Sequence, residues 1–122
     1  MTESIVLHLY PESFQKIKSG MKDVELRLYD EKRQRLNIGN LITFTDGVAG
    51  EQLSRRIVGL CRFKDFRTLV ENLGFVRCGY IAKPDNPDIE MEKYYSKEDI
   101  KKFGPFAIIL ATEQSRQRGM IL

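Results

Sequence analysis

Three side chains in the run SGMKDVELRLYDEKRQR, residues 19–35, have the types and spacing to do chemistry: Lys22, Glu25 and Arg27. Residues two apart on a strand share a face, roughly 7 Å from one another. Glu25 and Arg27 therefore point the same way, and Lys22, at the start of the strand, reaches over them on its flexible stem. Together they offer one acceptor and two cationic donors. A guanidinium suits bidentate contact with a phosphate or a base edge. A carboxylate accepts from the exocyclic amine of a base, and the Lys22 ammonium suits a phosphate or a carbonyl oxygen. If the site is catalytic, Lys22 and Glu25 are the groups to carry it, with Glu25 as a general base on water. A carboxylate beside a lysine favours the charged ammonium, so Lys22 reads as an electrostatic clamp rather than a proton acceptor. On spacing alone, a solvated surface ion pair between Glu25 and Arg27 explains the same residues and would contribute little.

Other groups fall around this motif. Tyr94 and Tyr95 can stack on a base or simply pack, and Glu90 or Glu92 offers a second carboxylate. Ser96 reads as a helix cap, and His8, the sole histidine, cannot complete a conventional triad without unusual partners. With two cysteines, Cys61 and Cys78, and no C-x-x-C pair, a structural zinc site lacks its four ligands. No metal and no cofactor is expected. Arg55, Arg56, Arg62, Lys64 and Arg67 form a basic run, with Arg56 and Arg62 on one strand face if no bulge intervenes. Residues 85–99 are acidic by contrast, which favours a small ligand or a short single strand over long polyanion tracking. The net charge of +3 permits a polyanion partner without demanding one.

The elements that must position these groups follow from periodicity. Residues 4–10 alternate as a strand. Pro11 opens a helix carrying Phe14 and Ile17 on one face, and Gly20 closes it. Residues 23–29 form a strand with Val24, Leu26 and Leu28 inward and Asp23, Glu25, Arg27 and Tyr29 on the polar face. Asp30 can cap the charged turn that follows. Strands are predicted over 41–45 and 53–63, the latter with a bulge or bend at Gly59. Asp65 caps a second helix, 75–88 reads as a long loop, and Ser96 with Asp99 opens a third helix. The strand 106–112 is apolar on both faces and should lie inside the sheet, and the tail 113–122 either packs or frays. The chain is long enough for one domain, 1–122, with one modest core. Its longest apolar runs are too short to span a bilayer, and Glu3 stands where a signal peptide would carry positive charge. A cytoplasmic protein with reduced thiols is expected.

The pattern G-x-K-x-x-E-x-R, here Gly20, Lys22, Glu25 and Arg27, resembles the ASCH domain family (activating-signal-cointegrator homology). The likeness extends through the preceding helix, the turn LNIGN, the strand LITF, the unit VGLCRFKDFRTLVENLG and the closing YYSKEDIKKFGPFAIIL. It implies an α+β fold, a small PUA-like β-barrel of about five to six strands with two to three peripheral helices. It also implies recognition of RNA or a nucleoside- or nucleotide-like ligand in a cleft lined by Lys22, Glu25 and Arg27, with Tyr94 and Tyr95 assisting. Some small members are amidohydrolases of N4-acylated cytidines. Those carry a threonine where this chain has Glu25, while their lysine and arginine match Lys22 and Arg27. A hydroxyl can be an activated nucleophile and a carboxylate at that position cannot. A third reading is a protein-interaction module, which would show an exposed apolar patch.

Overall fold

The computed structural model describes residues 5–112; the predicted tail, 113–122, lies outside them. Five strands run β1 (Ile5–Leu9), β2 (Val24–Leu28), β3 (Leu41–Asp46), β4 (Gln52–Arg62) and β5 (Pro105–Leu110). Four helices join them: α1 (Pro11–Ser19), α2 (Phe66–Leu73), α3 (Pro87–Met91) and α4 (Lys97–Phe103). The strands form one curled sheet in the order β1-β3-β4-β5-β2, so β1 and β2, consecutive strands in the chain, are its two edges. β1 pairs parallel with β3, and the other pairings are antiparallel. The result is the α+β, barrel-like fold expected.

Local chemistry explains the element ends. Pro11 occupies the first turn of α1, where a missing N–H costs nothing, and Gly20 ends the helix at φ 86°. That reversal sends the chain back so that the Lys22 N–H bonds the Lys16 carbonyl at 3.0 Å and β2 starts beside the helix. Asp65 accepts from the Thr68 N–H at 2.7 Å and Ser96 from the Asp99 N–H at 3.1 Å, capping α2 and α4 as predicted. Asp30 accepts from the Arg33 N–H and opens a single 3-10 turn at Arg33–Arg35.

One expectation is corrected. Among the described residues there are four helices, because a short helix, α3, forms at residues 87–91, its first two residues falling in the predicted loop 75–88. Its Pro87 is not a breaker but sits in the first turn, with Asn86 as cap. Of the bulge or bend expected at Gly59, the structure has the bulge: the β4–β5 register slips between Ile57 and Gly59. A one-residue insertion reverses side-chain parity, so Arg56 and Arg62 do not share a face. The basic run is dispersed accordingly. Arg56 donates to the Gly39 carbonyl, Arg62 lies over the Tyr29 ring and Arg67 reaches the Asp85 carbonyl.

The sheet buries both faces. On one, Leu7, Leu9, Ile42, Phe44, Ile57, Phe106 and Ile108 pack with Phe14 and Ile17 of α1. On the other, Val24, Leu26, Leu28 and Ala107 pack with Phe66, Leu69 and Val70 of α2 and with Met91 of α3. β5 serves both cores, which accounts for its unbroken apolar sequence, and it lies inside the sheet between β4 and β2. Among the described residues no helix is long and apolar enough to cross a membrane.

Candidate functional site

β2 carries the site because its two faces meet different surroundings. Val24, Leu26 and Leu28 go to the α2 core. Glu25 and Arg27 stand opposite Ile108 and Phe106 of β5, and cross-strand partners share a face. The polar face of β2 is therefore continuous with the other hydrophobic core and not with bulk water. Glu25 is 4% exposed and Lys22 8%.

Burying these charges demands mutual compensation, and the geometry supplies it. One Glu25 oxygen, Oε1, lies 2.9 Å from Lys22 Nζ. The other, Oε2, accepts from Arg27 Nη2 at 2.8 Å and from Nε at 3.1 Å. Burial would raise the Glu25 carboxyl, but Lys22 and Arg27 outweigh it and hold it below its ordinary value. Arg27 is correspondingly held above its own, with Glu25 and Tyr95 offsetting the cost of burial. The surface-pair reading of Glu25 and Arg27 fails on this geometry: the pair is a buried three-charge cluster with a net positive charge.

The cluster opens onto a cavity of about 690 Å³ between the two edge strands. His8 and Leu9 of β1, then Tyr10 and Pro11, line one side; Lys22, Glu25, Leu26 and Arg27 line another. Gly47 and Val48 from the β3–β4 turn contribute as well. Cys78–Tyr80, with Glu90, Met91, Lys93, Tyr94 and Tyr95, complete it. Both tyrosines expected at the site are there, in different states. Tyr95 is half-buried beside Arg27, and burial raises its hydroxyl above the ordinary value against the pull of that cation. Tyr94 is 61% exposed. Of the two candidate second carboxylates, Glu90 lines the cavity beside Tyr80, while Glu92 faces Lys97 at 3.6 Å and is not part of it. Burial first, and then Glu90, push the Tyr80 hydroxyl well up, so it stays protonated. Gly20 does not touch the cavity; its part is the turn that delivers Lys22. Ser96 is a cap.

Sequence reasoning missed the brace that fixes Lys22. Asp23 takes a bidentate contact from Arg77, at 2.8 and 3.2 Å, and the Arg77 carbonyl accepts from the N–H groups of Asp23 and Val24. This lays residues 77–79 along the edge of β2. The Gly79 carbonyl accepts from Lys16 Nζ at 2.8 Å. A Cβ on Gly79, which has φ +99°, would stand 2.9 Å from the Lys22 Cδ. The Lys22 stem thus runs against bare backbone. No spacing in the sequence signals this, since Lys16, Lys22 and Gly79 come from three separate segments. Tyr10 and His8 were also missed as cavity residues for the same reason. Among the described residues no cluster of His, Cys, Asp and Glu is placed to hold a metal ion.

Known proteins share the fold that carries this cavity. The solved structure of the hypothetical protein PH0355 superposes with a TM-score of 0.77 at 28% identity, covering 88% of this chain and 97% of that one. PF0455 from Pyrococcus furiosus, known from solution NMR, gives a TM-score of 0.71 at 29% identity, covering 88% and 96%. An ASCH protein of Zymomonas mobilis shares the fold at a TM-score of 0.59 and 18% identity, over 89% of this chain and 67% of that one. No curated protein matches the sequence. The ASCH domain model matches residues 7–113, nearly the whole length and the entire cavity, and the chain belongs to the ASCH domain family.

Proposed function

We propose that the chain binds a nucleotide-like ligand in the cavity between β1 and β2. The observation that carries this is the buried cluster at its wall: two cations share one carboxylate, Glu25, so uncompensated positive charge faces the cavity. Buried charge is weak evidence for stability and is better explained by use. The excess suits an electron-rich partner, a base carbonyl or a phosphate. The ring of Tyr95 beside Arg27 offers a surface for a flat group. A cavity of this size falls in the range that encloses small ligands.

In this reading Glu25 orients Lys22 and Arg27, and those two contact the ligand. Its own oxygens are both engaged and it is held in the ionised form, which makes it a poor base. The hydrolytic alternative would have to take its carboxylate from Glu90, which lies in the same cavity. Incubation with N4-acetylcytidine decides it: release of cytidine that Glu90→Gln abolishes would replace the binding reading with the hydrolytic one.

The direct test is a thermal-shift screen of nucleosides and nucleoside monophosphates. A ligand at a hundred times its Kd stabilises the folded state by about 2.7 kcal/mol. At least one should raise the Tm of the wild type and fail to raise that of Arg27→Ala. A panel that shifts neither, or both equally, removes the proposal.

A further inference from the structure

The curled sheet has two edges, β1 and β2, and the cavity lies between them. An edge strand leaves one row of its main-chain groups unpaired. In an antiparallel pair every second residue bonds the neighbouring strand, and the residues between turn their N–H and C=O the other way. On β2 this phase is fixed from both ends. The Asp23 carbonyl accepts from the Leu110 N–H at 2.8 Å, and the Tyr29 N–H donates to the Gly104 carbonyl at 2.9 Å. The main chain of Glu25 and Arg27 is therefore bonded to β5, and Val24, Leu26 and Leu28 present theirs to the open edge. The Val24 N–H follows this phase and donates to the Arg77 carbonyl at 3.0 Å.

Of those three residues, Leu26 lines the cavity. Neither its N–H nor its C=O has a partner among the described residues, and it is only 9% exposed. β1 also has open groups here. The Leu9 carbonyl accepts from the Gly47 N–H at 2.8 Å, so the main chain of His8 faces away from β3. His8 is exposed, and bulk water serves it. Leu26 is buried, and an unmet donor and acceptor are costly there. They stand between Glu25 and Arg27, at the cation cluster. The Leu26 side chain packs in the α2 core, so no spacing of side chains announces these groups.

We infer that Leu26 determines ligand specificity through its main chain, its N–H and C=O meeting an acceptor and a donor that stand side by side on the pairing edge of a base. This rests on the reading that the cavity takes a nucleotide-like ligand. The pairing edge of every common base carries such a pair. A phosphate only accepts and would leave the Leu26 carbonyl unmet. The base edge therefore belongs at Leu26, with Lys22 and Arg27 on the electron-rich groups beside it.

The test follows amide hydrogen exchange by NMR in the isotope-labelled full chain, free and with the adenosine, cytidine, guanosine and uridine monophosphates in turn. In the free protein the Leu26 amide should exchange faster than those of Glu25 and Arg27, which are bonded to β5. With a monophosphate at a hundred times its Kd it should slow by about a hundred-fold. Val24, on the same edge but already bonded, should slow less. The same monophosphate methylated on the ring nitrogen of its pairing edge should bind more weakly and should not slow Leu26. Three results overturn the inference and leave the ligand class standing: a Leu26 amide as slow as that of Arg27 in the free protein; a Leu26 that slows no more than Val24 in a complex that Arg27→Ala abolishes; or a methylated ligand that protects Leu26 equally. If no monophosphate binds, the reading of the cavity falls and the inference falls with it.

Discussion

The Glu25 carboxylate holds two cations in place, and its removal has a definite consequence. Glu25→Ala leaves Lys22 buried without its counter-ion, a change that typically costs about 3–5 kcal/mol. A denaturant titration should show this loss, and a loss under about 1 kcal/mol would mean that Lys22 escapes to water. The same group sets an acid limit. Its folded value lies below the ordinary 4.5, so the unfolded chain takes up this proton first. The stabilisation is complete above that ordinary value and is lost as the pH falls below it, through the depressed folded value. Glu25→Gln should flatten the acid side of a Tm-against-pH curve; an unchanged slope would show that another carboxylate governs it. Gly79 acts on the same cluster from outside. Gly79→Ala combines a positive φ with a clash on the Lys22 stem, an effect of about 1–3 kcal/mol. It should weaken nucleotide binding as well as lower the Tm.

At the scale of elements, the bulge in β4 and the junction of α2 with α3 matter most. Gly59 is tight against β5, where an added Cβ would meet Ile109 Cδ1 at 3.0 Å and its Cβ at 3.2 Å. Gly59→Val should destabilise by about 1–3 kcal/mol through overpacking, measurable by chemical denaturation. The N-terminus of α2 is held by two carboxylates, its own cap Asp65 and Asp88 from α3, which accepts from the N–H groups of Phe66 and Arg67 at 2.7 and 3.2 Å. Asp88 thus ties the segment that carries Tyr94 and Tyr95 to the helix beneath it. The strands, the caps and the bulge were legible in the sequence because each depends on a local signal: alternation, a capping residue, a glycine within a strand. α3 was not. Its five residues are too short for periodicity, and the prolines before it and at its start, Pro84 and Pro87, read as loop.

For the whole molecule, the two cysteines report on different events. Cys61 is exposed, whereas Cys78 is buried in the cavity wall, and burial pushes its thiol up to about 11. At mildly alkaline pH one thiol should react at once with a disulfide reagent and the second only as the fold opens. Glu25→Ala should speed the second phase; two equally fast phases would contradict the burial of Cys78. What the sequence alone determined is the chain's parts list: the family pattern from Gly20 to Arg27, the strand that presents Glu25 and Arg27 on one face, and the helices that flank it. Period-two alternation is a local property, and it survives any packing. What only the tertiary structure decided is where that polar face points. The order of strands in the sheet makes β1 and β2 its edges, and the pairing of β2 with β5 turns Glu25 and Arg27 toward a core rather than toward water. Tyr10, Gly79 and Glu90 join them from distant segments because the sheet curls. Dielectric, charge compensation and enclosure are properties of that closure, and they convert an ordinary ion-pair motif into a candidate binding site.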